Sequence, residues 1–289
     1  MRVSGQFLIA ALVATSAAAQ TPAPDPQAIL GATRAALGGD ARIAAVKTLV
    51  VTGRTRQVRG DNLVPIEFEL SVELPDKYLR KDEVPAQESG PTATGFSGDL
   101  LLEPPNAGPP AGRAGGTPPT AEQQAAIRAT RLIAVKQDFA RLMLGLFASA
   151  PASYPLTFTY VGQAEAPQGM ADVLEGKGAQ NLTIRLFVHR DTHLPVMLSW
   201  QGTAADGRRG GPAGRGPVPP ASGGDVAPPA GAAAIPENRL YFADYRDVDG
   251  VKFPFRLRRA LGAETTEETT FDRYRVNAKI DPRKFEVRK

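Results

Sequence analysis

The chain contains no cysteine. No disulfide can staple it, so its stability must come from a buried core, and no cysteine is present to carry an N-terminal lipid. Histidine is nearly absent, with only His189 and His193 in 289 residues. Their "HRDTH" spacing would pair them on a helix, but the flanking residues read as strand, turn and strand, and no HExxH glutamate accompanies them. No stretch approaches the roughly 20 consecutive apolar residues that a membrane helix needs. Charge of one sign is also scarce: the formal net charge is +4, acids and bases are mixed, and no continuous basic stripe suggests nucleic acid.

The N-terminus carries the pattern of a secretory leader: Arg2, the apolar run "FLIAALVA", then small residues in "SAAAQ". Ala17 and Ala19 supply the small side chains for cleavage, so residues 1–19 read as a signal peptide. A free, exported, periplasmic protein starting at Gln20 is expected. About 270 residues then remain, enough for one large domain.

Asp25-Pro26 reads as a helix cap followed by proline at the first helical position, and Gly38-Gly39 as the stop. A short helical turn from Asp40 to about Lys47 leads into a strand. In "VPIEFELSVEL", Val64, Ile66, Phe68, Leu70, Val72 and Leu74 alternate with Pro65, Glu67, Glu69, Ser71 and Glu73. Strict period-2 alternation of that length means a strand with one apolar and one wet face. "KYLRKDEV", "TATGF" and "DLLLE" continue as strands. Residues 103–120 form a Pro/Gly-rich loop, and residues 121–147 carry Leu132, Val135, Phe139, Leu142, Met143 and Leu146 at helical spacing. Strands then resume to the C-terminus, ending in a short "KFEVRK". Residues 202–236 are rich in glycine, proline and alanine with almost no apolar bulk, and are expected to be a mobile hairpin loop within one domain.

"DYRDVDGVKFPF" holds the strongest turn signal. Asp249-Gly250 supplies two positions that tolerate positive φ, and Val251, Phe253, Phe255 and Leu257 share a face opposite Lys252, Arg256 and Arg258. This is a hairpin corner, with no nucleophile beside its carboxylates. "GFSGD" around Ser97 has Asp99 where a nucleophile elbow needs glycine. Asn181-Leu182-Thr183 matches a glycosylation acceptor at what reads as a strand start. "GRRGGPAGRG" lacks the Gly-Lys-Ser/Thr of a phosphate loop. No catalytic residue, metal ligand or cofactor is assigned.

The leader, the early helix, "LPDKYLRK", "FSGDLLLE", the mid-chain helix, "LFVHRDTHLPVMLSW" and "FADYRDVDGVKFPFRLR" together resemble the LolA/LolB-like superfamily. They resemble more closely its outer-membrane lipoprotein-sorting-like proteins, from about Asp25 to the C-terminus without the two Pro/Gly loops. The resemblance implies an α+β, mainly antiparallel fold: a curved, half-open β-barrel of about eleven strands, with helices plugging the concave side over an apolar cavity for acyl chains. One departure is plain. The family's carrier has an arginine before the proline of the strand-ending motif, whereas Leu74 precedes Pro75 here.

On that frame the candidate cavity walls are Val64, Ile66, Phe68, Leu70 and Val72; Val196, Leu198 and Trp200; and Phe253, Phe255 and Leu257. Phe139, Leu142, Met143 and Leu146 are either a helical lid or core, and Trp200 either core or cavity wall. The expected function is a periplasmic carrier or sensor of acyl chains, lipid or lipidated protein. The alternative is a module that binds a peptide or envelope protein at a strand edge. A hydrolase or metalloenzyme would need a convergent acid, base and nucleophile, which the sequence does not offer.

Overall fold

A computed structural model describes residues 23–60, 62–85, 90–103, 120–201 and 237–286. The expected leader lies outside these residues, as do 104–119 and 202–236 within the two Pro/Gly-rich stretches.

Five strands precede the long helix: β1 (Thr48–Arg59), β2 (Asn62–Glu73), β3 (Lys77–Glu83), β4 (Thr92–Ser97) and β5 (Leu100–Leu102). Seven follow it. They are β6 (Thr157–Ala166), β7 (Gly169–Lys177), β8 (Thr183–His189), β9 (Pro195–Gln201), β10 (Glu237–Val248), β11 (Val251–Leu261) and β12 (Glu264–Val276). All pair antiparallel in one sheet ordered β5-β4-β3-β2-β1-β12-β11-β10-β9-β8-β7-β6. The expected fold class holds, with twelve strands among the described residues where about eleven were expected. The sheet is two meanders joined at β1 and β12, and among the described residues it does not close, because β5 and β6 remain as edges.

Helix α1 (Pro26–Leu37) starts where the Gln27 N–H donates to Asp25 Oδ1 at 3.0 Å. It stops at Gly38, φ 135°, where a β-carbon would collide with the Gly250 carbonyl oxygen of the β10–β11 turn. A short α2 (Asp40–Ala45) follows. Helix α3 (Ala121–Phe147) opens with a capping box: Gln123 N–H donates to Thr120 Oγ1 at 3.2 Å, and Thr120 N–H donates to Gln123 Oε1 at 2.9 Å. α3 packs against β4 and β5 on one side and β9 and β11 on the other, so the sheet is curled around it.

The Asp249-Gly250 turn has positive φ at both residues, 54° and 81°. The expected terminal strand in "KFEVRK" is corrected: Pro282–Phe285 is a 3-10 helix, and residues 287–289 are outside the description. Asp281 caps it by accepting from Arg283 N–H at 3.0 Å, with proline at the first position, repeating the signal of Asp25-Pro26. This helix lays Phe285, with Ile280, on Val50, Leu79 and Leu102 of the outer face.

Two apolar clusters fill the concave side. One joins β1–β4, β11 and β12 to Val135, Phe139, Met143, Leu146 and Phe147 of α3. The other joins α1 and the α3 residues Ala140 and Leu144 to β7–β10. No helix among the described residues is long and apolar enough to cross a membrane.

Candidate functional site

The concave face changes character along its strands, and the register shows how. One cross-strand row is Phe271–Gly53–Phe68. Gly53 is required there, because a β-carbon would strike the Phe68 ring and the Thr270 carbonyl oxygen. The next row is Leu257–Thr269–Thr55–Ile66, with the Thr55 and Thr269 hydroxyls bonded at 2.9 Å. The row beyond is Leu240–Arg259–Glu267–Gln57–Val64. Trp200 pairs with Asn238 nearer still to the ends of the β1–β2 and β11–β12 hairpins.

Phe68 and Phe271 of the first row join the cluster that includes α3, and Phe271 also borders the space between α3 and the other rows. That space is a cavity of about 580 Å³, within the usual size range of ligand pockets. Its apolar lining includes Ile66, Leu70, Val135, Leu142, Leu240 and Leu257. Its polar lining includes Arg59, Arg80, Arg141 and Arg259 against Asp82, Asp138 and Glu267.

These charges are organised. Arg80 Nε donates to Asp82 Oδ1 at 2.7 Å, and its guanidinium carbon lies 4.7 Å from the Phe68 ring centre. Burial alone would lower the Arg80 guanidinium, but Asp82, Tyr78 and Glu267 outweigh it and hold it above its ordinary value. Burial pushes the Tyr78 phenol well up, so it stays protonated. Arg141 Nη1 donates to Asp138 Oδ1 at 2.7 Å. The Arg141 and Arg259 guanidinium carbons lie over the Trp200 ring, 4.3 and 5.5 Å from its centre.

The structure divides the sequence-derived candidates. Ile66, Leu70, Trp200, Leu257 and the helical Leu142 line the cavity. Phe68, Val72, Phe253, Phe255, Phe139, Met143 and Leu146 lie in the packed cluster under α3, and Leu198 lies in the second cluster. Val196 is buried and Val64 half-buried. Reading strands for apolar residues missed Arg80, Asp82, Asn238, Arg259 and Glu267. Parity alone would have found several: Arg80 and Asp82 share a face with Tyr78, and Arg259 continues the row of Phe253, Phe255 and Leu257.

The outer face carries a second grouping that a linear scan for a basic stripe does not show. Register sets Thr270 between Arg54 and Arg256, and Glu268 between Arg56 and Arg258. The four arginines border an open groove of about 430 Å³.

His189 is structural. Its Nδ1 accepts from the Asp191 and Thr192 N–H groups at 3.2 Å, holding the β8–β9 turn, while Nε2 lies 2.9 Å from the Gln168 carbonyl oxygen. No group of three metal-ligating side chains occurs among the described residues. Ser97 ends β4 beside Asp99, which bonds Lys136 of α3 at 2.7 Å.

No family model matches the chain, and no curated protein matches it in sequence. In structure it is similar to a LolA superfamily protein from Nitrosomonas europaea, with a TM-score of 0.51 and 12% identity over 89% of this chain and 96% of that one. It also aligns with a domain named for outer membrane lipoprotein sorting from Vibrio parahaemolyticus, at TM-score 0.46 and 10% identity over 88% and 95% of the two chains. A DUF1329 family protein from Desulfovibrio piger aligns at TM-score 0.44 and 9% identity over 91% and 98%. The first of these shows that the chain has the fold of the LolA superfamily. At such identity the likeness speaks for the fold alone.

Proposed function

We propose that the protein is a periplasmic carrier or sensor whose concave cavity takes the acyl portion of a lipid or a lipidated protein. The observation that carries this reading is the cavity itself, a space between α3 and the sheet with Ile66, Leu70, Val135, Leu142, Leu240 and Leu257 in its lining. Each acyl CH₂ removed from water contributes about 0.8 kcal/mol, so one buried chain supplies much of the affinity without a specific polar contact. On this reading the site binds rather than reacts: Asp82 and Asp138 are bonded to arginines, and Tyr78 keeps its proton. Export by residues 1–19 is part of the proposal, and N-terminal sequencing of the mature protein should begin at Gln20.

The test is displacement of a fluorescent fatty-acid probe. Leu142 is half-buried on the cavity wall, so Leu142→Glu should fold and lose the probe. Glu67→Ala, on the exposed side of β2, should keep both fold and probe. Unchanged probe binding in folded Leu142→Glu would place the ligand elsewhere.

A second reading, partner binding by strand addition, is favoured by one feature. Among the described residues β6 leaves its outer edge unpaired over ten residues, Thr157–Ala166. A register shift between Tyr160 and Gly162 interrupts that edge and makes it a poorer template, so the cavity takes precedence.

A further inference from the structure

The cavity is more than a greasy slot. Deep in it the Arg80–Asp82 pair lies opposite Leu70 and Phe68, and Arg259, Glu267, Asn238 and Trp200 lie toward the hairpin ends. We infer that this end is a headgroup site, built by Arg141, Arg259 and Asn238 around Trp200, for an amphiphile bearing a single anionic group. The inference rests on the acyl-cavity reading above and names the class of ligand it would take.

Three independent observations converge. The first is charge. Among the described residues four arginines, the exposed Arg59 included, line the cavity against three carboxylates, and arginine does not lose its proton in proteins, so this lining carries one more positive than negative charge when every acid is ionised. Asp82 and Asp138 are bonded to Arg80 and Arg141, and Glu267 stands opposite Arg259 in the sheet. The second is placement. Two guanidinium carbons lie 4.3 and 5.5 Å from the centre of the one Trp200 ring, which gives both charges a common rigid support. Such a pair is preorganised for an acceptor with two or more oxygens.

The third observation is Asn238. It is 6% exposed, and its Nδ2 has no hydrogen-bond partner among the described residues. A buried donor without an acceptor is costly. Asn238 lines the cavity beside Trp200, to which it pairs across the sheet. An oxygen of a carboxylate or phosphate at the shared ring would satisfy that donor and face both guanidinium groups. The chain attached to it would then run over Leu240, Leu257 and Leu142. A neutral lipid would fill the same space but bring no negative charge to the guanidinium groups.

The experiment is calorimetric titration of the whole chain with three probes of equal chain length: dodecanoate, dodecyl phosphate and the neutral monododecanoyl glycerol. The anionic probes should bind at least about tenfold more tightly than the neutral one, as charge-assisted bonds require. Arg259→Gln should erase most of that preference, weakening the anionic probes far more than the neutral one. Arg259→Lys keeps the charge without the planar fork and should retain part of it, which covers the case in which the glutamine variant fails to fold. Asn238→Leu should weaken the anionic probes more than the neutral one. A preference for dodecanoate would point to free fatty acids as the source, and one for dodecyl phosphate to phosphorylated lipids. Equal binding of all three probes, or an anionic preference that survives Arg259→Gln, would overturn the headgroup site and leave the acyl cavity standing. Binding of none would overturn the cavity reading itself.

Discussion

The concave face has a packed end and an open end, and the same strands build both. At the packed end Phe253 stacks on Tyr274 with ring centres 4.7 Å apart and meets Phe147 edge-on at 5.8 Å. There Gly145 of α3 lies against the Phe242 ring, and the Tyr245 hydroxyl lies 3.1 Å from the Gly145 carbonyl oxygen and 2.9 Å from that of Pro195. A few residues along the same strands, the inward positions become Thr269, Arg259 and Glu267, and the helix no longer fills the space. Glycine lets the helix approach at one end, and charge with bulk keeps the other end open. Inward orientation is therefore not the same as burial in a core.

The largest effect should come from the packed end. Phe253 is fully buried, and Phe253→Ala should cost about 3–5 kcal/mol, read as a shift in urea midpoint at constant slope. A loss under about 1 kcal/mol would mean that this end is as loose as the other. Gly145→Ala comes next. Its β-carbon would enter the Phe242 ring, and overpacking of that kind costs about 1–3 kcal/mol. Leu142→Ala, one turn away but on the cavity wall, should lie well below the roughly 2–5 kcal/mol of a core leucine truncation. A full core-sized loss at Leu142 would abolish the contrast between the two ends.

Two smaller effects lie outside the cavity. Replacing residues 202–236 with a short turn should raise stability by no more than about 2 kcal/mol, since about three doublings of loop length at about 0.6 kcal/mol each separate the two. A large fall in melting temperature would show that this segment packs on the fold. The smallest effect concerns Glu69. Burial raises its carboxyl, but Lys284 at 2.6 Å, with Lys81 and Arg275, outweighs this and holds it below its ordinary 4.5. Because the folded value is the lower one, the contribution is fully present above the ordinary value and fades as pH falls through the lowered one. Lys284→Ala should flatten that acid-side loss slightly, as measured by melting temperature against pH.

Much of the frame was legible in the chain. The alternation of Val64 to Leu74, the Asp249-Gly250 turn and the bounds of α3 all appear as local pattern, because each depends on residues within one element. The division of the inward rows into core and cavity was not legible. Parity tells which face Phe68 and Ile66 share, but their depth depends on where α3 crosses, and that is set by Gly145 meeting Phe242 from a distant strand. The charged lining was half legible. Arg80 and Arg259 follow the inward parity of Tyr78 and Phe255, but their neighbours Asp138 and Trp200 come from other parts of the chain. The C-terminal helix was missed because "KFEV" has strand-like residues, while Asp281-Pro282 just before it carries the helix signal.

The seam between the two meanders has a consequence for how the molecule comes into being. β1 is among the first elements to leave the ribosome, yet one of its two neighbours is β12, nearly the last. The Lys47 N–H reaches Asn277 Oδ1 at 2.7 Å across 230 residues of chain. Until translation is almost finished, one whole side of β1 has no native partner. Contacts of such long range form slowly. A premature stop before residue 264 would not trim a border of the sheet; it would take out its middle and leave β1 and β11 as two raw edges facing each other.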